Sequence, residues 1–195
     1  MVICTKNRAA ALGVYLDKFN QLQSQTPWEF IVVDNDSTDN TGCVLREFAP
    51  YATMSFRFVQ ETIPGSNAAK NTGWKLALGE FIAFTDDDCY PESDYIDAVL
   101  QGLSAKDTYG FVGGWVLLFD PTDLPITIQT CNTYITYAPR SFLAAGVIHG
   151  ANFAFRHIAL EAAGGFDIRF GAGRKYPCED VDVMAEILRL GWEGV

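Results

Sequence analysis

The chain has 195 residues, of which 49% are apolar and 19% charged, so it can build one domain around a substantial core. Its net charge of −10 excludes a general nucleic-acid surface, because gripping a polyanion requires basic side chains that replace its counterions. Five cysteines, an odd number with no CxxC spacing, argue against a zinc site or a disulfide framework and for reduced thiols in a cytoplasmic setting. No apolar run reaches the roughly 18–20 residues that cross a bilayer, and no signal peptide is visible.

Residues 1–4 form a short β-like run. Residues 9–22 place Leu12, Leu16, Phe19 and Leu22 at helical spacing. Phe30, Ile31, Val32 and Val33 make a continuous buried strand that ends in Asp34. A helix is expected over 38–48, a strand over 56–59 and a helix over 67–78 after the loop 63–66. The strand 81–84 then runs into Asp86, Asp87 and Asp88. Unbroken apolar strands separated by helices predict an α/β fold with a Rossmann-like, mostly parallel central sheet flanked by helices. Such sheets bind ligands at the carboxyl ends of their strands, where both Asp34 and the 86–88 acids fall.

The second half is less regular. A helix is expected over 93–103, strands over 109–119 and 147–155, and a closing helix over 179–190 with Val183, Ile187 and Leu190 on one face. Residues 120–146, with Pro121, Pro125 and Pro139, match no regular pattern, and a Gly-rich loop spans 164–178. The first residues enter mid-strand and residues 191–195 stop mid-element, so we expect a single domain over 1–195 that is truncated at its C-terminus.

Three adjacent carboxylates at a strand end repel one another, and each raises the others' pKa unless a cation lies between them. Hard oxygen donors at this density suit Mg²⁺ or Mn²⁺, above all when the ion also holds a phosphate. The plainer alternative is a solvated loop whose acids cap a helix beginning near Ser93. Asp34 can accept from a ring N–H or a ribose hydroxyl, whereas Ser37, Thr38 and Asp39 read first as caps of the next helix. The small residues of 65–73 allow close backbone approach, and Lys70 either reaches an anionic ligand or lies on a solvated helix face. Asn152, in an apolar run after Gly150, must find partners by tying a loop or facing a pocket. His149 reads as structural. Glu179, Asp180 and Asp182 begin a helix, where acids favour the dipole, but a carboxylate there can also serve as a general base.

Taken in order, these segments resemble the GT-A-fold, family 2 type glycosyltransferases over nearly the whole chain. Residues 2–8 are similar to the family's opening strand and loop, and 32–39 to its nucleotide-binding strand end. Residues 65–73 are similar to the next donor-site loop, with Lys70 where the family more often has Arg. Residues 79–91 match the strand ending in the metal-binding DxD motif, 150–156 and 164–167 the second half, and 179–182 the helix start that supplies the base. The resemblance implies inverting, metal-dependent transfer of a sugar from a nucleoside diphosphate sugar, a UDP-sugar first, to an acceptor hydroxyl. It implies Mg²⁺ or Mn²⁺ on Asp86 and Asp88, with Asp87 turned away to serve the structure or the donor ribose. It implies a donor site made of Thr5, Asn7, Arg8, Asp34, Asp36, Gly65, Asn67, Lys70, Asn71, Asp86, Asp87, Gly150 and Asn152. Asp180 becomes the general base and Glu179 orients the acceptor. Residues 1–90 form the nucleotide-binding half and 91–195 the acceptor-binding half.

The implied partners are a nucleotide-sugar and a carbohydrate, lipid-linked or protein acceptor, in the cytoplasm or at the inner membrane face. The His that follows the family's closing helix has no counterpart, since His149 and His157 lie upstream, so full activity is expected to need residues beyond Val195. A non-catalytic nucleotide-sugar or carbohydrate-binding module would keep the donor pocket without needing Asp180. A sugar nucleotidyltransferase needs a Gly-rich basic loop near the N-terminus, where residues 1–13 offer only Gly13. The absence of GxGxxG after a strand argues against a dinucleotide oxidoreductase.

Overall fold

A computed structural model describes residues 1–171, 175–176 and 178–195. Strands β1 (Val2–Thr5), β2 (Glu29–Asp34), β3 (Ser55–Gln60) and β4 (Phe81–Asp86) pair in parallel in the spatial order β3-β2-β1-β4. Alternate residues of these strands feed two different cores. Ile3, Phe30 and Val32 pack with Leu12, Leu16 and Phe19 of α1 (Ala9–Phe19) and with Leu45 of α2 (Thr41–Phe48). Val2, Ile31 and Val33 face the other way, onto Ala69 and Trp74 of α3 (Ser66–Leu76). Burial on both faces is why β1, β2 and β4 carry no polar alternation, whereas the edge strand β3, with no fully buried residue, carries Ser55, Arg57 and Gln60.

The contact between α3 and the sheet is unusually close at Gly73, where a Cβ would stand 2.3 Å from Val2 Cγ1 and 3.1 Å from Val33 Cγ2. Gly73→Ala is expected to destabilise the fold by about 1–3 kcal/mol, because overpacking outweighs the ~1 kcal/mol that alanine adds to a helix. Gly13 in α1 is the matched control, with nothing within 4 Å of its Cβ position. Gly13→Ala should stabilise by about 0.5–1 kcal/mol. Denaturant midpoints moving the same way for both would show that packing does not decide the sign.

The second half adds α4 (Tyr95–Ser104), β5 (Tyr109–Gly113), β6 (Phe153–Arg156), α5 (His157–Ala162), α6 (Glu179–Arg189) and β7 (Glu193–Gly194). Among the described residues the sheet has seven strands in the order β3-β2-β1-β4-β6-β5-β7. β6 runs antiparallel to both β4 and β5, while the other pairings are parallel, as the α/β pattern predicts. α5 and α6 join α3 on one face through Leu160, Met184 and Ile187.

Several expected boundaries are corrected. The strand expected over 109–119 ends at Gly113. At Gly114 a Cβ would meet Asn152 Nδ2 at 2.5 Å, and the chain then leaves the sheet; Val116 bridges Gln129 outside it, and Tyr137 touches back on Gly194 of β7. The strand expected over 147–155 is sheet only from Phe153, because 149–152 form a turn closed by Asn152 N–H to His149 O at 2.9 Å. Leu190 is not on the buried face of α6. It follows the last helical residue and is 40% exposed, and Met184 and Leu188 join Val183 and Ile187 instead. The short elements α5 and β7 have too few residues to show a period. All five cysteines are free thiols. Among the described residues, no helix is long and apolar enough to cross a membrane.

Candidate active site at the carboxyl ends of the strands

Asp86 is the last residue of β4, and Asp87 and Asp88 lie in the turn that follows. That turn separates the three acids. Asp86 and Asp88 are exposed, whereas Asp87 is buried. A carboxylate oxygen from Asp86, one from Asp88 and Cys89 Sγ all lie within 4.8 Å of one another. Although Asp86 as a residue is exposed, the surrounding protein desolvates its carboxylate and raises its pKa; Lys70 opposes that rise, and the charges of Asp88, Asp87 and Glu179 add to it. Two converging carboxylates, one of them carrying an unfavourable charge, fit a divalent cation. Burial pushes the Cys89 thiol up to about 11, so it stays protonated at neutral pH and suits a hard ion poorly.

Asp87 accepts from Thr5 Oγ1 at 2.5 Å and lies 3.4 Å from Arg8 Nε. Burial is the main influence raising its pKa, against the lowering effects of Thr5 and Arg8. Arg8 also donates from Nη2 to Asp88 at 2.8 Å, so its guanidinium serves as counter-ion to two of the three acids. The acids do not cap α4. That helix starts at Tyr95, and Asp94 before it makes no side-chain capping bond.

At the end of β2, Asp34 is buried and its Oδ1 accepts from Ser37 N–H at 3.0 Å. Two flanking non-glycine residues, Asn7 (φ 54°) and Asp36 (φ 59°), take the left-handed conformation, which concentrates at functional loops. Asn7 N–H donates to Ser37 Oγ at 2.8 Å, and Asn7 Oδ1 accepts from Thr38 N–H at 2.8 Å. Ser37 and Thr38 therefore brace the first loop and do not cap α2. The carboxylate of Asp39 takes part of that role, accepting from Thr41 N–H at 2.9 Å and from Ala9 N–H at 3.0 Å. Asn35 was not among the expected site residues. Its Nδ2 donates to Glu61 O and Ile63 O, and its Oδ1 accepts from Gly65 N–H, so it holds the loop before α3. The available signal was a polar amide placed directly after the strand-end acid Asp34.

Gly65 precedes α3 with φ 123°. From that helix, Asn67 Nδ2 donates to Asp167 O and Phe170 O. Asn71 Nδ2 donates to Phe166 O, and its Oδ1 accepts from Phe166 N–H and Trp74 Nε1. Both amides thus tie α3 to the turn after α5. Lys70 is not on a solvated face. It is 7% exposed, lies above the rings of Phe153 and Phe166 at 5.5 and 5.4 Å, and sits 3.5 Å from Glu179 Oε1. Lys70 links Asp86 electrostatically to the start of α6.

Glu179, Asp180 and Asp182 occupy the first turn of α6, where the helix dipole favours negative charge. Asp180 Oδ1 accepts from Val181 N–H at 2.8 Å. Its Oδ2 adjoins Gly150, where a Cβ would lie 3.8 Å away. Thr85 Oγ1 donates to Ala151 O at 2.7 Å, and Asn152 Nδ2 donates to Trp115 O at 2.7 Å. The 150–152 turn therefore connects the end of β4, the start of α6 and the segment after β5. Beside Asp88 and Asn152 opens a cleft of about 700 Å³ walled by α4 and by 115–119. The expected nucleotide residue Asp34 and the expected base Asp180 lie outside its lining.

Acids at the ends of β2 and β4, on a doubly covered sheet with one reversed strand and an acid-led helix beneath, define a GT-A-type domain. The chain belongs to glycosyl transferase family 2, whose profile matches residues 1–163. It is similar to the probable glycosyltransferase YdaM of Bacillus subtilis, at 27% identity over 177 residues covering 84% of this chain and 40% of that protein. Among solved structures it is similar to the mannosyltransferase PcManGT from Pyrobaculum calidifontis, in complex with GDP-Man and Mn²⁺. There the TM-score is 0.73 and the identity 26%, covering all of this chain and 52% of the other. Residues 1–349 of S. aureus TarS, in complex with UDP, share the fold at a TM-score of 0.72 and 14% identity, with coverage of 100% and 59%. The chain thus spans about 40% of the first curated relative and about half of these solved chains.

Proposed function

We propose that this chain is the catalytic domain of a glycosyltransferase that moves a sugar from a nucleoside diphosphate sugar to an acceptor hydroxyl. The observation that carries it is the convergence of Asp86 and Asp88 at the end of β4 in a family 2 domain. The likeness to a mannosyltransferase that holds GDP-Man and Mn²⁺ supports both the metal and the donor class. The expected donor is a UDP-sugar, and that same likeness makes a guanosine donor the second to try.

Asp86 and Asp88 would hold Mn²⁺ or Mg²⁺, which supplies charge neutralisation for the departing diphosphate. Asp34, at the end of β2 and separated from β4 by β1, receives the nucleoside. Thr5 and Arg8 keep Asp87 in place behind the metal ligands, and Lys70 keeps Glu179 directed toward Asp86. Asp180 takes the proton of the acceptor hydroxyl as its oxygen attacks the anomeric carbon, while Glu179 orients the acceptor. One in-line displacement inverts that centre.

The test is thermal stabilisation by a panel of nucleotide-sugars with and without Mn²⁺. A donor present at 100 times its Kd should add about 2.7 kcal/mol of stability. We expect a shift that requires both donor and metal. The same melting temperature with every uridine and guanosine donor, whether or not Mn²⁺ is added, would sink the proposal.

A further inference from the structure

We infer that the cleft beside Asp88 takes an uncharged saccharide as acceptor and discriminates against phosphorylated or uronic acid acceptors. The inference rests on the glycosyltransferase reading and assigns its acceptor class. The cleft holds about 700 Å³, within the range of small-ligand sites. Its lining includes four carboxylates, Asp88, Glu92, Asp94 and Asp123, and no Lys, Arg or His among the described residues. An anion entering there meets like charge on several sides and no cation among the described lining residues, and Arg8 beside Asp88 is already paired with Asp88 and Asp87. A divalent ion on Asp86 and Asp88 answers only one of those four carboxylates, and the donor diphosphate already claims its charge.

The rest of the lining is apolar and partly aromatic. Trp115 is 57% exposed, and its Nε1 donates to Cys131 O at 2.6 Å, which fixes the ring edge. Tyr90 and Phe119 pack with ring centroids 4.2 Å apart. Flat aromatic faces suit the C–H face of a pyranose, while the surrounding acids accept hydrogen bonds from neutral hydroxyls. Tyr95 also lines the cleft, and its hydroxyl has no hydrogen-bond partner among the described residues.

Of the proposed reacting groups, the cleft lining includes Asp88 but neither Asp86 nor Asp180. Ala151 and Asn152 line its base, and the preceding Gly150 adjoins Asp180 Oδ2. A sugar lying on the aromatic wall therefore extends toward the proposed base.

The experiment measures initial rates on neutral oligosaccharides and on their uronic acid and 6-phosphate counterparts, using the donor found by thermal shift and Mn²⁺. The anionic acceptors should have KM values at least tenfold higher. The triple variant Glu92→Gln, Asp94→Asn, Asp123→Asn should bring the ratio of anionic to neutral KM close to one. Trp115→Ala should raise KM for the neutral acceptor about fivefold or more. Equal or better use of the anionic acceptors by the wild-type chain would overturn the inference, and so would a ratio that the triple variant leaves unchanged. Mn²⁺-dependent donor hydrolysis without acceptor separates the two levels: if it persists while neutral saccharides are refused, the acceptor assignment alone has failed. If neither hydrolysis nor transfer occurs and no donor gives a Mn²⁺-dependent thermal shift, the glycosyltransferase reading has failed. Quenching of tryptophan fluorescence by neutral but not anionic saccharides then still decides the charge preference of the cleft.

Discussion

Replacing Asp180 by Asn is expected to lower turnover by about 10²- to 10⁴-fold while leaving donor affinity within a few-fold of wild type. The change keeps the side-chain shape and preserves an oxygen that can accept from Val181 N–H. It removes the basic oxygen beside Gly150 that would receive the acceptor proton. The structural cost is small, because one charge fewer in the first turn of α6 forfeits only about 0.3–1 kcal/mol of dipole interaction. Loss of kcat at constant donor Kd, read from initial rates and from thermal shift with donor and Mn²⁺, is the signature of a base. Undiminished transfer and hydrolysis would show that the base lies elsewhere. A protein that binds donor equally well in both forms and turns over in neither would be a binding module.

The second large effect is expected at the end of β4. Asp88→Asn, and likewise Asp86→Asn, should abolish the metal-dependent part of donor stabilisation. Each should also lower transfer by about 10²- to 10³-fold, the scale on which removal of one aimed electrostatic stabiliser acts. Arg8→Gln separates a lost ligand from general damage to the loop. The Arg8 and Asp88 side chains are 41% and 50% exposed, so their ion pair is worth only about 1 kcal/mol or less. Its removal frees Asp88, and Mn²⁺ alone should bind up to about fivefold more tightly by calorimetry or electron paramagnetic resonance. Weaker Mn²⁺ binding in Arg8→Gln would mean that Arg8 positions the acids and does not compete for them. Retained metal-dependent stabilisation in both Asp variants would remove these acids from the metal site.

The legible part of the fold lies where local pattern and burial coincide. The apolar strands up to 86 and the spacing of Leu12, Leu16 and Phe19 led to elements whose ends moved by only a few residues, because each strand feeds two cores and each helix one. Asp34 and the 86–88 acids were placed correctly at strand ends, because a carboxylate cannot continue a strand buried on both faces. The second half resisted. β6 and the 149–152 turn form one apolar run in sequence, and only pairing with β4 and β5 shows where the sheet begins. Leu190 continues the helical spacing of Val183 and Ile187, but α6 ends one residue earlier.

Individual roles within the site were less legible than its location. Lys70 looks like any helix-surface lysine until Phe153, Phe166 and Glu179 close around it. Asn67 and Asn71 suit a ligand loop by composition, but their amides meet backbone groups about 100 residues away. Arg8 reaches Asp88 across 80 residues of chain, and Thr5 reaches Asp87 across 82.

By itself, then, the sequence determined the α/β class, the strand ends that carry acid and the family. Hydrophobic period and the cost of burying charge act over a few neighbouring residues and can be read from them. Tertiary structure alone decided which acid faces the cleft and which is buried behind it, which cation neutralises them, and how the cleft wall is charged. Those outcomes depend on the order of strands in the sheet, which brings distant segments within hydrogen-bonding reach and leaves no trace in local spacing.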